Sequence, residues 1–331
     1  MAISTNYAIK SNTKVFIGTE VTMGTACLDN GTWHQVDVTD FTIAEATAPL
    51  EMAPQKSGLL TQGEADAKHA IDKQLFEIEL QFNGSVDILK RIASHYWGDG
   101  TTVSLLTGDA PPVKKYEHNV TNAVPVTLYF FNGGSDGVKD LVYKSCMMTG
   151  LDMNFGLSDG GVLKCVAKFM TAYSPIEQTS NEPDSATSTT GTPLNFHDMT
   201  MVKVATKDLL MSDFSLSINR PVNVTAFDIY ANPKVPAGYS LGSYEVTGSF
   251  TCKRDSESIG IPLNTSTGNV IIVHEDTSTN TAKGFVMNDA IIESASTTTA
   301  DPAWNTTFNY RAYYSGTDSS TTILTLDLGT E

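Results

Sequence analysis

A five-residue pattern, Thr/Ser-Asp-Phe-Thr/Ser-Ile/Leu, occurs twice in the chain, as Thr39-Asp40-Phe41-Thr42-Ile43 and as Ser212-Asp213-Phe214-Ser215-Leu216. Each copy is followed by a strand-like run, FEIELQF (76–82) and YEVTGSF (244–250), beginning 35 and 30 residues after the phenylalanine. Much later come Tyr173-Ser174 and Tyr314-Ser315. Three collinear matches are the signature of an internal repeat, which constrains the chain to a fold in which one small unit occurs twice. Two similar units with no catalytic motif suit a symmetric assembly better than a lone enzyme.

At 331 residues the chain is long enough for two units, each burying its own core. Ser, Thr, Asn and Gly are abundant and strong helix formers scarce, so an all-β fold with one flanking helix is expected, built as two tandem β-barrel or β-sandwich modules. The first module is expected over 1–178, a Ser/Thr/Pro-rich linker over 179–193, and the second module over 194–331. The run 73–82 alternates cleanly, with Phe76, Ile78, Leu80 and Phe82 on one face and Glu77, Glu79 and Gln81 on the other. A helix is expected over 85–97, capped by Ser85 and stopped by Gly98, with Val86, Leu89, Ile92 and Tyr96 covering the sheet. Its equivalent near 255–264 contains a Gly and a Pro and is degenerate.

Residues 44–73 contain two prolines, two glycines and no steady period, which is too long for an ordinary connection. They read either as a surface loop or as a long hairpin arm that orders against a neighbour. In the second reading Glu51, Lys56, Leu59, Leu60, Glu64 and Asp66 supply the contacts with that neighbour, which the resemblance given below would place between rings.

The net charge is −16, made up of −7 over residues 1–178 and −9 over 179–331, with no Lys/Arg cluster. Such a chain is poorly suited to wrapping nucleic acid or lying on an anionic membrane. The four cysteines have no metal-ligand spacing and read as reduced thiols. The opening MAISTNYAIKSNTK lacks the apolar core of a secretory signal, and no run approaches a membrane span, so folding in a cytoplasm is expected.

The six histidines show no i, i+2 or i, i+4 pair, and His197-Asp198 and His274-Glu275 read as surface polar residues rather than dyads. No nucleophile elbow, phosphate loop or dinucleotide fingerprint is present. No catalytic residue, metal or cofactor is expected. Glu77 and Glu79, about 7 Å apart on one strand face, read as an acidic solvent face.

The opening KVFIGTEVTMGT, the irregular stretch after Phe41, FEIELQF followed at once by SVDILKRIASHYW, and the later SYEVTGSFTCKRDS together resemble the major tail tube proteins of long-tailed bacteriophages, in the variety with a duplicated tube module. The resemblance spans nearly the whole chain and rests on order and pattern. It implies a structural virion protein, assembled in the bacterial host cytoplasm. Its copies would form rings of six modules, from three chains or six, stacked into a tube through which double-stranded DNA passes without specific binding. The tape-measure protein and tail-completion proteins are the implied partners. A conduit must not grip its cargo, so Glu77, Glu79 and Glu245 are the expected lining of the bore. The alternative is that these faces meet water outside or pair with Lys across strands. Alternative functions are another β-sandwich virion component, such as a decoration or tail terminator protein, or a surface adhesin.

Overall fold

The computed structural model describes residues 12–27, 33–51, 69–97, 101–104, 112–116, 124–133, 139–157, 160–179, 182–183, 186–188, 191–204, 207–228, 235–264, 270–276, 281–287, 290–300, 303–313 and 324–328. The first half of the chain forms β1 (Lys14–Thr19), β2 (Trp33–Val36), β3 (Val38–Glu51), β4 (His69–Asn83), helix α1 (Val86–Trp97), β5 (Thr101–Ser104), β6 (Pro112–Tyr116), β7 (Val126–Phe131), β8 (Lys139–Gly156), β9 (Lys164–Thr171) and β10 (Ile176–Thr179). After β11 (Thr187–Ser188) the second half forms β12 (Met201–Val204), β13 (Lys207–Asp208), β14 (Met211–Asn219), β15 (Val222–Asp228), β16 (Val235–Leu241), β17 (Glu245–Lys253), helix α2 (Ser256–Ile259), β18 (Val270–Asp276), β19 (Thr281–Met287), β20 (Ala290–Ala300), β21 (Ala303–Ala312) and β22 (Leu324–Leu328). The protein is all-β with one full helix.

Strand β8 organises the first half. Its leading part pairs with β7 and β10, its trailing part with β9 and β14. Where it passes from one sheet to the other, Ser145 takes a left-handed conformation with φ 50. That conformation is costly for a residue with a Cβ and needs support. The buried Glu20 carboxylate supplies it, accepting from the Ser145 N–H, from Ser145 Oγ at 2.7 Å and from Thr127 Oγ1 at 2.7 Å.

The strand orders of the two halves coincide. The first half runs β2-β1-β7-β8-β10 in one sheet and β3-β4-β9-β8 in the other; the second runs β13-β12-β18-β19-β22 and β14-β17-β21-β20. Irregularities coincide as well. The register slips by one residue at Thr39 between β3 and β4 and at Ser212 between β14 and β17. In each case the bulge residue's hydroxyl reaches the facing strand: Thr39 Oγ1 donates to Gln81 O at 3.1 Å, and the Ser212 hydroxyl is shared between Thr251 O at 3.3 Å and Asp213 Oδ2 at 2.7 Å. A second slip falls at Thr149 between β8 and β9 and at Glu293 between β20 and β21. A bulge inserts one unpaired residue and bends its strand, so two bulges at matching places give both halves the same curvature. The repeated pentapeptide is thus the sequence of the first bulge.

With the bulges matched, Leu80 corresponds to Phe250, and Phe82 to Cys252. The runs FEIELQF and YEVTGSF are therefore offset by two residues from the alignment in which both end on Phe. An offset of two preserves the faces, which is why the alternation looked right.

The expectation of two separate cores is corrected. A single buried cluster runs through both halves, with Phe155 at 5.9 Å from Phe285 and Phe214 at 6.1 Å from Phe285. Because β14 pairs directly with β8, the two sheets merge and their inner faces share one interior. A smaller cluster, including Phe16, Trp33 and Tyr129, packs separately in the first half. Nor is 179–193 a free tether. β11 pairs with β2, Lys14 Nζ lies 2.6 Å from Glu182, and Pro193 bridges to Ser85, so the described part of the segment lies along the first half and covers a sheet edge. The hairpin β5–β6 crosses the other way, pairing with β22 of the second half.

Candidate assembly surface

The strands β3-β4-β9-β8-β14-β17-β21-β20 form one antiparallel sheet of eight. Its inner face carries the apolar alternates, buried at Phe76, Ile78 and Leu80, at Phe214 and Leu216, and at Phe250 and Phe308. The other face is polar. Glu77 and Glu245 are exposed on it and Glu79 is half-buried. The structure does not gather the three: four inter-strand steps separate β4 from β17, roughly 19 Å at ordinary strand spacing.

Two of these glutamates stand opposite cations. Glu79 faces Lys168 across the β4–β9 ladder, and Lys168 Nζ lies 2.6 Å from Asp152. The hydrogen bond to Asp152, with the charges of Asp152 and Glu79, holds the Lys168 ammonium above its ordinary range against partial desolvation. Glu245 accepts from Arg311 Nη1, and Arg311 Nε donates to Glu293 at 2.9 Å. Much of the remaining face is hydroxyl and amide. Ser215 and Ser249 meet at 2.8 Å, Thr251 and Thr307 at 2.9 Å, and Ser217 Oγ donates to Asp152. Lys168, Asp152, Arg311 and the hydroxyl pairs were not singled out from the sequence, although the alternation of KCVAKFMT and SDFSLSIN carried the signal.

The seam between the halves is the pairing of β8 with β14, running from Gly156↔Asp213 to Gly150↔Asn219. Arg220 locks one end. It is 1 % exposed, its N–H donates to Thr149 O at 2.8 Å, and its guanidinium donates to Met148 O at 3.2 Å and to the Tyr244 hydroxyl at 2.7 Å. Burial pushes the Tyr244 phenol up to about 12 despite the opposing Arg220 charge, so it stays protonated. The hairpin β15–β16 reinforces this end: Tyr173 OH donates to Pro236 O at 3.0 Å, and the Ala172 N–H donates to the Tyr239 hydroxyl at 3.2 Å.

The two outer strands of the sheet are β3 and β20. Among the described residues each pairs on one side only. By strand order β3 is the counterpart of β14, and β20 that of β8. The free edges are therefore the counterparts of the two strands that meet at the seam, and Phe41, half-buried, stands where Phe214 is 2 % exposed.

The expected arm begins as an antiparallel ladder that continues β3 and β4 out to Glu51↔His69. Lys56, Leu59, Leu60, Glu64 and Asp66 lie outside the described residues. In the second half β15–β16 occupies the corresponding place in the chain. Helix α1 starts as expected, with Ser85 Oγ accepting from the Ile88 N–H at 3.4 Å. Ile88, Leu89 and Ile92 are buried and Val86 packs against the core; the Tyr96 side chain lies outside the described residues. Near the helix end His95 is 5 % exposed, and burial first, then the charge of Arg91, depresses it to about 3. The same two causes bring His34 down to about 4.

Among the described residues all four cysteines are free and buried, no group of three His, Cys, Asp or Glu side chains is placed to hold a metal, and no helix is long and apolar enough to cross a membrane. His197 and Asp198 are exposed, and the His274 and Glu275 side chains lie outside the described set. No protein-family model and no curated protein matches the chain.

Proposed function

We propose that this chain is a structural virion protein that adds head to tail to further copies of itself, closing rings that stack into the tail tube of a long-tailed bacteriophage. The observation that carries the reading is the seam: within one chain a β8-type strand pairs with a β14-type strand, and among the described residues the sheet ends on one more strand of each type, β20 and β3. Repeating the same contact between chains is a heterologous association, which forms a ring when the rotation closes. An open edge strand otherwise invites indiscriminate pairing, so a partner strand of defined register is its natural cover.

Ring size follows from width. At a spacing of about 4.8 Å and a tilt near 40°, the 16 strands of two chains close a barrel about 32 Å across, and the 24 of three chains one about 48 Å across. Side chains occupy about 5 Å at each wall, so two chains leave little more than a bare duplex needs, whereas three leave room for a hydrated one. The reading is therefore three chains and six half-chain units per ring, with the polar face of the sheet turned to the bore. Hydroxyls, amides and balanced ion pairs there offer DNA few phosphate-holding cations. The tape-measure and tail-completion proteins remain the proposed partners, and the virion tail the proposed location.

Negative-stain images and native mass test this directly. Rings or tubes with a central hole, and a mass of three times the 35.6 kDa chain per ring, are expected. A protein that stays monomeric at high concentration, or rings of six full chains, would contradict it.

A further inference from the structure

The end of the sheet where the two helices start differs between the halves. In the first half the backbone of Leu194 closes a triangle: Gly84 N–H donates to Leu163 O at 2.7 Å, Leu163 N–H to Leu194 O at 2.9 Å, and Leu194 N–H to Gly84 O at 2.8 Å. Pro193 and Asn195 bridge to Ser85 and Val162, and Phe196 packs on Phe155 with ring centres 5.8 Å apart. Under this cover Leu163 and Leu89 are both 0 % exposed.

The matched bulges place Arg254 at the position of Gly84, Asp255 at that of Ser85, Trp304 at that of Leu163 and Ile259 at that of Leu89. Two bonds support the match independently. The Arg254 N–H donates to Trp304 O at 2.9 Å as Gly84 does to Leu163, and Asp255 caps its helix as Ser85 does, accepting from the Ser258 N–H. Yet among the described residues nothing occupies the place that Leu194 holds. Trp304 is 57 % exposed and Ile259 64 %, and beside them Leu210, whose carbonyl accepts from the Lys253 N–H, is 64 % exposed. One side of a three-way contact is built, and its apolar ground is open apart from the Arg254 guanidinium, which stands 6.0 Å from the centre of the Trp304 ring.

The segment carrying Leu194 leads into β12, and the counterpart of β12 is β1. Val204 faces Lys207 as Ile17 faces His34, and this pairing places Tyr7 at the position of Leu194 and Ile9 at that of Phe196. Large apolar residues fall at both matched positions, Tyr7 for Leu194 and Ile9 for Phe196. In the first half this segment passes from its docking site into the unit across the β8–β14 seam. The unit across the equivalent edge, β20, is not in the same chain, whose own β1 lies with the first half at the other end of the sheet.

We infer that residues Tyr7–Ile9 of one copy dock on the Arg254–Trp304 site of the neighbouring copy, Tyr7 bonding to the Trp304 N–H and the Arg254 carbonyl and covering Trp304 and Ile259. This rests on the head-to-tail reading above and adds to the edge pairing a strap that ties each chain to the next. Burying apolar surface on both partners favours the docked state.

A Tyr7→Cys, Trp304→Cys variant tests it, since the four native cysteines are buried and give little background. Mild oxidation of assembled particles should yield chain-to-chain cross-links on a non-reducing gel, ending at three chains. Particles that assemble with no cross-link, or with cross-links only inside single chains, would overturn the strap while leaving the tube reading intact. If the variant does not assemble, a peptide of residues 2–12 added to dilute wild-type chain decides. It should protect amides 254–259 and 304 from hydrogen exchange and shift Trp304 emission to the blue, and a Tyr7→Asp, Ile9→Asp peptide should do neither. No protection at millimolar peptide would overturn the strap. A wild-type chain that never assembles would overturn the tube reading and the strap with it, since the strap joins neighbouring chains.

Discussion

The two halves share strand order and bulges but not their coverings. In the first, α1 runs twelve residues, and Leu194 and Phe196 from the connecting segment cover the ground beside it. In the second, α2 runs four residues from an equivalent cap, Gly260 follows and Pro262 soon after, and Ile259 and Trp304 stand exposed. Their polar faces differ in detail, the first half holding the Glu79–Lys168–Asp152 group and the second the Glu245–Arg311–Glu293 group among serines, threonines and asparagines. The ladder geometry is common to the two halves, and the differences lie in the coverings and the polar face.

Substitutions at matched positions should separate what is shared from what is not. Phe214→Ala should cost about 4 kcal/mol of unfolding free energy as an ordinary large-to-small core change. Phe41→Ala, at the half-buried counterpart on the free edge, should cost about half as much in the unassembled chain and weaken assembly more. Equal losses in urea unfolding would mean that β3 is not an interface waiting for its partner. Arg220→Ala removes charge-assisted bonds from the buried end of the seam, and a loss of about 3 kcal/mol is expected. A loss under about 1 kcal/mol would place the strength of the seam elsewhere.

Acid should strike the first half. His95 and His34 are held neutral in the folded state, so their contribution is fully present above the unfolded value near 6.5 and is lost as pH falls toward 4 and 3. At pH 5 the His95 contribution to this loss is about 2 kcal/mol. His95→Phe should flatten the dependence of the urea midpoint between pH 7 and 5, and hydrogen exchange should show α1 opening first in the parent. Uniform acid loosening of both halves would refute this.

The bulge hydroxyls test the equivalence itself. Thr39→Val and Ser212→Ala should each cost about 1 kcal/mol, one net hydrogen bond. A large effect at one and none at the other would break the match. The smallest effect on stability is expected from Glu77→Lys, an exposed change within about 0.5 kcal/mol. If this face lines the bore, particles carrying it should eject DNA more slowly, with the delay greatest at low salt. Unchanged kinetics at every ionic strength would put Glu77 outside the bore.

Much of the plan was legible in residues whose chemistry is local. The alternation of FEIELQF assigned Phe76, Ile78, Leu80 and Phe82 to the core face, and the serine cap and apolar spacing marked α1 within a residue of its start. The repeated Thr/Ser-Asp-Phe was visible, but not that it is a bulge, because the unpaired residue is defined only by the strand opposite. Of the proposed site, the polar face could be read from period two. That Glu79 would meet Lys168 and Glu245 would meet Arg311 depends on register between strands 89 and 66 residues apart in sequence, which alternation does not encode.

By itself the sequence determined the all-β class, the repeat, the capped helix and which side of each well-alternating strand is apolar, since these depend on backbone preference and hydrophobic period within a few residues. Only the tertiary structure decided that β14 pairs with β8 rather than opening a second core, that β5–β6 crosses to β22, and that among the described residues the sheet ends on counterparts of both seam strands. Hydrogen bonding along a strand edge is nearly blind to residue type, so the choice of neighbour falls to packing on the faces and to curvature set by the bulges, and those act only once distant strands are side by side.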